Sequence, residues 1–396
     1  MDREIPILYS EKNDCCACGA CLNICSKQAI SMVEDECGFR YPQIDENLCV
    51  RCGRCKQVCV FLNSKVENSP VKVFAGVAKD ERIRRTSASG GIFAAIAKTV
   101  LEEGYVVFGA ALQTDYSVRH IAIKSVEDLL KLQGSKYTQS DIGRTYSEVK
   151  KYLDQGGKVL FSGTPCQVDG LYGYLGKGNE NLVTIDIICH GVPSNRMFKD
   201  YIESLGQDVS NFVFRDKSIG WGINGSAIIN GKKKRIWQSS SAYLYYFTKG
   251  WIYRENCYQC QYTSSHRPAD ITLGDFWGIE KQHPEYLGKD GWDESKGLSV
   301  IIANTVKGEV LLNDMRFVLD LKESTFEKAA ACNGQLRHPS KTGKRAELVE
   351  LYASVGWDGL ERRFKKNIGW HFYSSQIKSL IPGCVKRKIK SMKTGE

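Results

Sequence analysis

Two runs of cysteines with the same internal spacing lie near the start of the chain. The first run comprises Cys15, Cys18, Cys21 and Cys25, and the second comprises Cys49, Cys52, Cys55 and Cys59. Both follow C-x2-C-x2-C-x3-C, in which three thiolates bind one 4Fe-4S cluster and the fourth binds the neighbouring cluster. The pattern therefore predicts that Cys59 joins the cluster of the first run and that Cys25 joins that of the second. The chemistry that these residues indicate is one-electron transfer.

The runs predict a ferredoxin-like two-cluster module over residues 1–63. Small residues such as Ala17, Gly19 and Gly53 suit it, because the loop backbone must pass close to the inorganic sulfides. Ser26 and Val60 stand where such modules usually carry proline, which leaves the shape of the exit turn open. Structural zinc is disfavoured by the four-cysteine runs. Disulfides are disfavoured because no signal peptide is expected at the charged N-terminus.

Four further cysteines form a less regular set: Cys166, Cys189, Cys257 and Cys260. Cys166 and Cys189 each follow a predicted strand, and loops at one edge of a sheet converge. A third four-thiolate site and a set of free buried cysteines are both compatible with this pattern, and spacing alone does not decide between them. Cys16, Cys37, Cys332 and Cys384 fit no pattern and are interpreted as ordinary thiols.

The order of predicted elements indicates an α+β protein with several parts. A polar linker follows residue 63, and residues 70–157 form an α/β region with a helix over 92–101, a strand over 105–112 and a helix over 141–153. Residues 158–345 form an α+β domain that contains a hairpin turned at Asn230-Gly231. Residues 346–396 form a helical basic tail. Alternating strands and helices favour an open sheet with ligands at its strand ends.

Several later motifs together resemble the coenzyme F420 hydrogenase/dehydrogenase beta-subunit family. They are SASGGI at 87–92, GSKYTQS at 134–140, SGTPCQ at 162–167, CHGVP at 189–193 and DITLGDFWG at 270–278. The similarity extends over about residues 10–340. Because that family pairs FAD with 4Fe-4S clusters, the resemblance implies that Cys166, Cys189, Cys257 and Cys260 bind a third cluster near a flavin.

Residues of two of these motifs suit a flavin. Ser87, Ser89, Gly90 and Gly91 precede a helix, where hydroxyls and free N–H groups suit a pyrophosphate. Lys136, Tyr137, Gln139 and Ser140 offer a cation, a ring and hydrogen-bonding groups for an isoalloxazine. The alternatives are an ordinary helix cap and a surface loop. His190, His266 and Asp275 are candidate proton donors, but no catalytic residue is assigned.

These observations predict an iron-sulfur flavoprotein oxidoreductase. The flavin would exchange electron pairs with a deazaflavin-like or unknown carrier or substrate, and 4Fe-4S clusters would pass single electrons to a ferredoxin-type partner. The alternative is an electron-transfer subunit that serves a partner enzyme, such as one in surface-polysaccharide biosynthesis. A structural or regulatory iron-sulfur protein would use one cluster rather than two.

Composition adds limits on location and partners. The chain has 396 residues, 16 cysteines and a formal net charge of +10. No apolar stretch reaches the length of about 18 residues that a membrane span requires, and the cysteines indicate a reducing cytoplasm. Nucleic acid is not an expected partner, because the lysines after Gly231 lack companion aromatic residues. The basic tail predicts contact with an anionic membrane surface or an acidic partner, and a solvated terminus is the alternative.

Overall fold

The computed structural model describes residues 4–63, 68–176 and 178–369. The strands are β1 (Ile30–Glu34), β2 (Arg40–Ile44), β3 (Lys72–Ala78), β4 (Val106–Leu112), β5 (Val118–Ile123), β6 (Val159–Gly163), β7 (Leu182–Ile187), β8 (Val209–Val213), β9 (Gly225–Ile229), β10 (Lys232–Ile236), β11 (Ile271–Asp275), β12 (Ser299–Ala303) and β13 (Leu319–Ser324). They form sheets of two, three and eight strands.

Helices occur both in the N-terminal module and between the strands that follow it. The α-helices are α1 (Ala20–Ile24), α2 (Arg54–Gln57), α3 (Val60–Asn63), α4 (Glu81–Thr86), α5 (Ile92–Glu102), α6 (Leu129–Leu132), α7 (Thr145–Asp154), α8 (Pro165–Leu175), α9 (Asn195–Ser204), α10 (Ala242–Lys249), α11 (Ile279–Gln282), α12 (Val306–Asp314), α13 (Phe326–Ala331) and α14 (Arg345–Ile368). Short 3-10 turns span Lys12–Asp14, Val126–Asp128, Lys217–Ile219, Gln238–Ser240, Glu255–Gln259, Pro284–Tyr286, Glu294–Lys296, Met315–Phe317 and Gly334–Leu336.

The eight-stranded sheet forms the centre of the structure. Its order is β13-β3-β12-β11-β7-β6-β4-β5, and the four strands β11, β7, β6 and β4 run parallel. The remaining pairings in the sheet are antiparallel. The parallel strands are buried and rich in Val, Ile and Leu, as expected for strands that are covered on both faces. Their carboxyl ends bring several loops to one edge.

The N-terminal module packs against the helices that follow β5 and β6. The Tyr146 hydroxyl in α7 lies 2.7 Å from the carbonyl oxygens of both Cys18 and Gln167, which share its single hydrogen. The buried Asn23 amide donates to the carbonyl of Gly143 at 2.8 Å. These buried polar contacts tie the first cysteine run to the carboxyl edge of the sheet.

The α+β prediction is confirmed, and most predicted elements are observed with small shifts. Helix α5 covers the predicted 92–101, and the hairpin β9–β10 turns at Asn230 and Gly231, whose φ angles of 51° and 68° suit a tight turn. The helix predicted over 141–153 begins only at Thr145. Asp141 instead forms backbone hydrogen bonds with Val118 and His120 of β5.

The structure shows where two of the predicted domain limits lie in the fold. The boundary at 157/158 falls within the eight-stranded sheet, to which residues on both sides contribute strands. Helix α14 lies at the start of the predicted basic tail and buries Leu348, Tyr352 and Leu360 against α9 and α10. Residues 370–396, which carry most of that tail, lie outside the described residues. Among the residues that are described, no helix combines the length and apolar character needed to cross a membrane.

A buried carboxylate joins three elements at the amino edge of the sheet. Asp270, directly before β11, accepts hydrogen bonds from the Thr184 amide at 2.9 Å and from the Thr305 hydroxyl at 2.8 Å. Lys307 in α12 lies 3.1 Å from the same carboxyl group. The carboxylate therefore links β7, β11 and the start of α12. This contact lies at the edge of the sheet opposite the carboxyl ends of the parallel strands.

We expect Asp270→Ala to lower the free energy of unfolding by about 3 kcal/mol or more, since a buried amide loses its acceptor and a cation its partner. The matched control is Asp128→Ala, which removes an exposed carboxylate paired with Lys131 and should cost less than about 1 kcal/mol. Anaerobic urea unfolding followed by circular dichroism measures both. Equal losses in the two variants would contradict the role given to Asp270.

Candidate redox site

The structure divides the eight cysteines of the two runs between two cavities. Cys15, Cys18, Cys21 and Cys59 line the first cavity. Cys25, Cys49, Cys52 and Cys55 line the second. Each cavity thus takes three thiols from one run and the fourth thiol from the other. This is the grouping that the fourth-ligand exchange requires, and the binding of clusters by these thiols stays a prediction.

The two runs repeat the same backbone conformation. Ala17 and Gly19 have φ angles of 53° and 80°, and the equivalent Arg51 and Gly53 have 54° and 75°. Gly19 and Gly53 are the N-caps of α1 and α2. A positive φ is costly for Ala17 and Arg51, and such strain is typical of loops that clamp a ligand. In the first loop the Ala17 amide already points to the Cys15 thiol, at 3.4 Å.

The four remaining candidate ligands converge on a third cavity. Its lining includes Cys166, Cys189, Cys257 and Cys260. Cys166 lies in the first turn of α8, Cys189 follows β7 by two residues, and the last two lie in or beside the 3-10 turn over Glu255–Gln259. The carboxyl ends of β6 and β7 thus bring together residues that are almost a hundred positions apart.

Two residues that the sequence analysis did not select also belong to this region. Cys16, interpreted as an ordinary thiol, lines both the first and the third cavity. Arg254 is 1% exposed and lines the third cavity, and its Nε donates to the carbonyl of Cys15 at 2.7 Å. Both residues contact partners from distant parts of the chain. In the sequence, the only signals of their place at this cavity were the Cys15-Cys16 doublet and the position of Arg254 three residues before Cys257.

The third cavity suits an anionic group with bridging metal atoms. Burial, together with the neighbouring Cys166 thiol, raises the pKa of Cys189 to about 12 and that of Cys260 to about 11. Metal centres bind thiolates and release their protons, so positive metal charge offsets this cost. The Arg254 Nη2 group is buried with no hydrogen-bond partner among the described residues, which leaves a cationic donor for an anion.

The spacing of the thiols differs from that of a single-ion site. Within the part of the chain that the structure describes, no three His, Cys, Asp or Glu side chains come close enough to hold one metal ion together. A cubane spreads its thiolates over separate irons, so it fills a wider thiol-lined cavity than one zinc ion does. The set of four candidate thiols that lines each cavity therefore fits a 4Fe-4S group.

A larger cavity opens at the carboxyl edge of the sheet. It encloses about 1600 Å³ free of protein atoms, its open mouth included. Of the residues predicted for a flavin, its lining contains Ser87, Ser89, Gly91, Lys136, Tyr137 and Ser140. The cavity is mostly apolar with a few converging polar groups, which is the usual character of a cofactor site.

Two predicted flavin residues do not line this cavity. Gly90 packs against β3, where an added Cβ would lie 2.5 Å from the Gly76 carbonyl oxygen, and its amide donates to Ser299 Oγ at 3.0 Å. Gln139 instead lines the third thiol cavity, and its amide donates to the carbonyl of Cys16 at 3.2 Å. Gly90 thus allows close packing against β3. Gln139 connects the GSKYTQS motif at 134–140 to the first cysteine run.

Lys136 is the most informative polar residue of the large cavity. Its Nζ donates to the carbonyls of Leu132 and Gln133 at 2.9 and 2.8 Å, which uses two of its three hydrogens. Burial lowers its pKa to about 7, and no carboxylate within the described residues forms an ion pair with it. A buried amine without a counter-ion suits a ligand that carries or develops negative charge.

Several other side chains of the cavity have protein partners. The Ser140 hydroxyl lies 2.7 Å from His120 Nδ1, and the Tyr137 ring stacks on Phe247 with centroids 4.2 Å apart. Asp275 accepts from Arg215 Nη1 at 2.5 Å. Among the candidate proton donors, His190 and Asp275 line the cavity, whereas His266 is exposed outside it. The Tyr137 ring also packs edge-on against Phe214, with centroids 5.6 Å apart.

Three of the four cavities share walls, and the second thiol cavity is linked to the first only through neighbouring thiols. Cys189 and His190 line both the large cavity and the third thiol cavity, and Cys16 lines both the third and the first. In the module, Cys21 lies near enough to Cys55 for that thiol to raise the pKa of Cys21, after the larger effects of burial and of Cys15 and Cys59. The series runs from the sheet edge to the far side of the module.

Two family profiles match the chain over the segments that line the large cavity and supply the four later cysteines. The beta subunit N-terminal domain of coenzyme F420 hydrogenase/dehydrogenase matches residues 73–145, and the C-terminal domain of the same subunit matches residues 156–328. The chain belongs to the coenzyme F420 hydrogenase/dehydrogenase beta-subunit family. The resemblance predicted from its motifs is confirmed, and membership of this family supports an oxidoreductase that takes part in electron transfer.

Individual relatives of this family member are distant. The chain is 29% identical over 165 residues to a coenzyme F420-dependent sulfite reductase from Methanocaldococcus jannaschii, and it spans only 24% of that protein's length. It is 26% identical over 330 residues to an uncharacterized protein of the same organism, covering 72% of this chain and 86% of the relative. A chain of the F420-reducing [NiFe] hydrogenase complex from Methanosarcina barkeri has 17% identity and a TM-score of 0.45, over 76% of this chain and 93% of that one.

Replacing the C-terminal pair of the third cavity should remove one cluster. We expect Cys257→Ser/Cys260→Ser to lower the iron content by about four atoms per chain and to leave the other clusters spectroscopically unchanged. Cys332→Ser, at an exposed cysteine, is the matched control and should keep all the iron. Iron analysis and electron paramagnetic resonance of the reduced protein measure this. An unchanged iron content in the double variant would exclude a four-thiolate site there.

Proposed function

We propose that the chain is an iron-sulfur flavoprotein oxidoreductase with one FAD and three 4Fe-4S clusters. FAD would occupy the large cavity, and clusters would occupy the third, first and second thiol cavities. The observation that carries the proposal is the series of shared walls, with Cys189 between the large and third cavities and Cys16 between the third and first. Neighbouring redox groups pass electrons in steps, and the flavin converts between pairs and single electrons.

The residues of the chain have separate tasks in this proposal. Ser87, Ser89 and Gly91 would hold the pyrophosphate near the start of α5, where free amide groups favour an anion. Lys136 would stabilise the anionic reduced flavin, and the apolar walls would keep water from it. Arg254 would offset the negative charge of the third and first clusters, since it touches both regions.

We propose a deazaflavin-like or another two-electron carrier as the partner of the flavin. Support comes from the similarity to the coenzyme F420-dependent sulfite reductase of Methanocaldococcus jannaschii, which is 29% identical to this chain over 165 residues. The one-electron partner would meet the ferredoxin-like module. Because the proposal assigns twelve of the sixteen cysteines to clusters rather than to disulfides, we place the protein in a reducing compartment. A pure electron-transfer subunit serving a partner enzyme needs no cavity of this size.

A cofactor inventory tests the proposal as a whole. We expect about twelve irons, twelve acid-labile sulfides and one FAD per chain in protein purified without oxygen. Iron and sulfide assays and chromatography of the released flavin measure the three quantities. About eight irons without flavin would contradict the proposal and favour the relay subunit that serves another enzyme.

A single substitution tests the position of the flavin. Lys136→Met should weaken flavin binding about tenfold or more, because a buried charged hydrogen bond contributes about 1.5–3 kcal/mol. Lys131→Met is the matched control, since Lys131 is exposed and pairs with Asp128. Fluorescence titration of the flavin-free protein with FAD measures both affinities. Unchanged affinity in Lys136→Met would remove this lysine from the flavin site.

A further inference from the structure

The two faces of the N-terminal module differ in what covers them. In the first run, an added Cβ at Gly19 would meet Ile142 at 3.2 Å, and an added Cβ at Gly170 of α8 would lie 2.9 Å from the Cys18 Cβ. In the second run, an added Cβ at the equivalent Gly53 would have nothing within 4 Å. The sheet domain therefore covers the first loop and leaves the second loop open.

Cysteine exposure follows the same division. Cys18 is 8% exposed beneath α8, whereas its equivalent Cys52 is exposed to solvent. Cys52 lines the second cavity, the last in the series that begins at the sheet edge. Among the twelve candidate ligand cysteines, all of which lie in the described residues, only Cys52 is exposed to solvent. A cluster held there would be the most accessible to an external electron carrier.

The side chains around the open loop are cationic, and those around the covered loop are apolar. Counting from the first cysteine of each run, Arg51, Arg54 and Lys56 occupy the positions that Ala17, Ala20 and Leu22 occupy in the first run. The three cations are exposed, as is Lys27 beside Cys25, and none forms a salt bridge within the described residues. The second run, from Cys49 to Cys59, contains no acidic residue, and the nearest acids before it in the sequence are Asp45 and Glu46.

An apolar patch completes this surface. Leu48 and Val50, on either side of Cys49, are 51% and 59% exposed, and Val50 lines the second cavity. Small exposed apolar groups ringed by charge are typical of interfaces that form and separate quickly. We define the open face as Lys27, Leu48, Val50, Arg51, Arg54 and Lys56, around Cys52.

We propose that the open face is the docking surface for an acidic one-electron carrier protein. This inference rests on the proposed function, because it needs a cluster at Cys25, Cys49, Cys52 and Cys55. Oxidised 4Fe-4S clusters with four thiolates are anionic, so two such groups repel each other unless cations lie between them. The cations of the open face offset this repulsion and attract a carrier with a negative surface.

The transfer at this face is a simple electron exchange. One electron leaves the reduced carrier and enters the cluster beside Cys52, so the carrier is oxidised and the cluster is reduced. No bond forms or breaks, and no proton transfer is required. A second copy of the chain is a poor occupant, because it would present the same cations.

The test compares two triple charge reversals that change the net charge equally. Arg51→Glu/Arg54→Glu/Lys56→Glu alters the open face, and Lys232→Glu/Lys234→Glu/Arg235→Glu alters the exposed β10 strand of a different sheet. The probe is an acidic two-cluster bacterial ferredoxin, reduced and mixed with oxidised protein in a stopped-flow instrument. Iron content and the dithionite-reduced spectrum are recorded first for every variant. Arg54→Glu/Lys56→Glu replaces the triple variant if the latter loses iron.

We expect the second-order rate constant for ferredoxin oxidation to fall about tenfold or more in the open-face variant. In this variant the rate constant should also no longer decrease as the salt concentration rises. The β10 variant should keep the rate of the parent. Equal rates in the open-face variant and the parent, or an equal fall in both variants, would overturn the docking surface. Loss of binding to anionic vesicles with no change in ferredoxin oxidation would also overturn it, in favour of a membrane contact. A parent protein without cluster signals would instead fail the proposed function itself, before ferredoxin is added.

Discussion

The close packing of the first cysteine run on α7 and α8 is the constraint on which the rest of the site depends. An added Cβ at Gly170 would lie 2.9 Å from the Cβ of Cys18, and the Tyr146 hydroxyl bonds the Cys18 carbonyl. This contact brings the first cavity of the module beside the third cavity of the sheet domain. Electron transfer weakens steeply with distance, so a looser interface would separate the two halves of the series.

Charge compensation accompanies this packing at each step. Arg254 lies between the first and third cavities, and Arg267 lies near Cys189 and Cys260, where its positive charge opposes the rise in their pKa. Arg267 is paired with Asp186 at 2.9 Å, and within the described part of the chain both Arg254 and Arg267 retain a buried nitrogen without a hydrogen-bond partner. Lys136 provides the cation of the large cavity. Buried cations of this kind are costly unless an anion offsets them, which makes each one informative about its ligand.

Local patterns in the sequence were sufficient wherever neighbours along the chain decide the structure. The Asn230-Gly231 turn, helix α5 with Gly104 beyond its end, and the exchange of Cys25 and Cys59 between cavities all follow from short-range rules. The start of α7 did not follow, because Asp141 bonds to β5 rather than to its own helix. Gly90 and Gln139 were predicted from their motifs to bind a flavin, and the structure places them in contact with Gly76 and Cys16 rather than on the wall of the large cavity.

The sequence by itself was enough to identify the repeated cysteine spacing, the family and the α+β composition, because spacing and periodicity are local properties. Only the tertiary structure decided that Cys166, Cys189, Cys257 and Cys260 surround one cavity, that Cys16 lies between two cavities, and that Cys52 faces solvent while Cys18 does not. These relations depend on strand order and on which helix covers which loop. They join residues far apart in the chain, and no local spacing specifies such contacts.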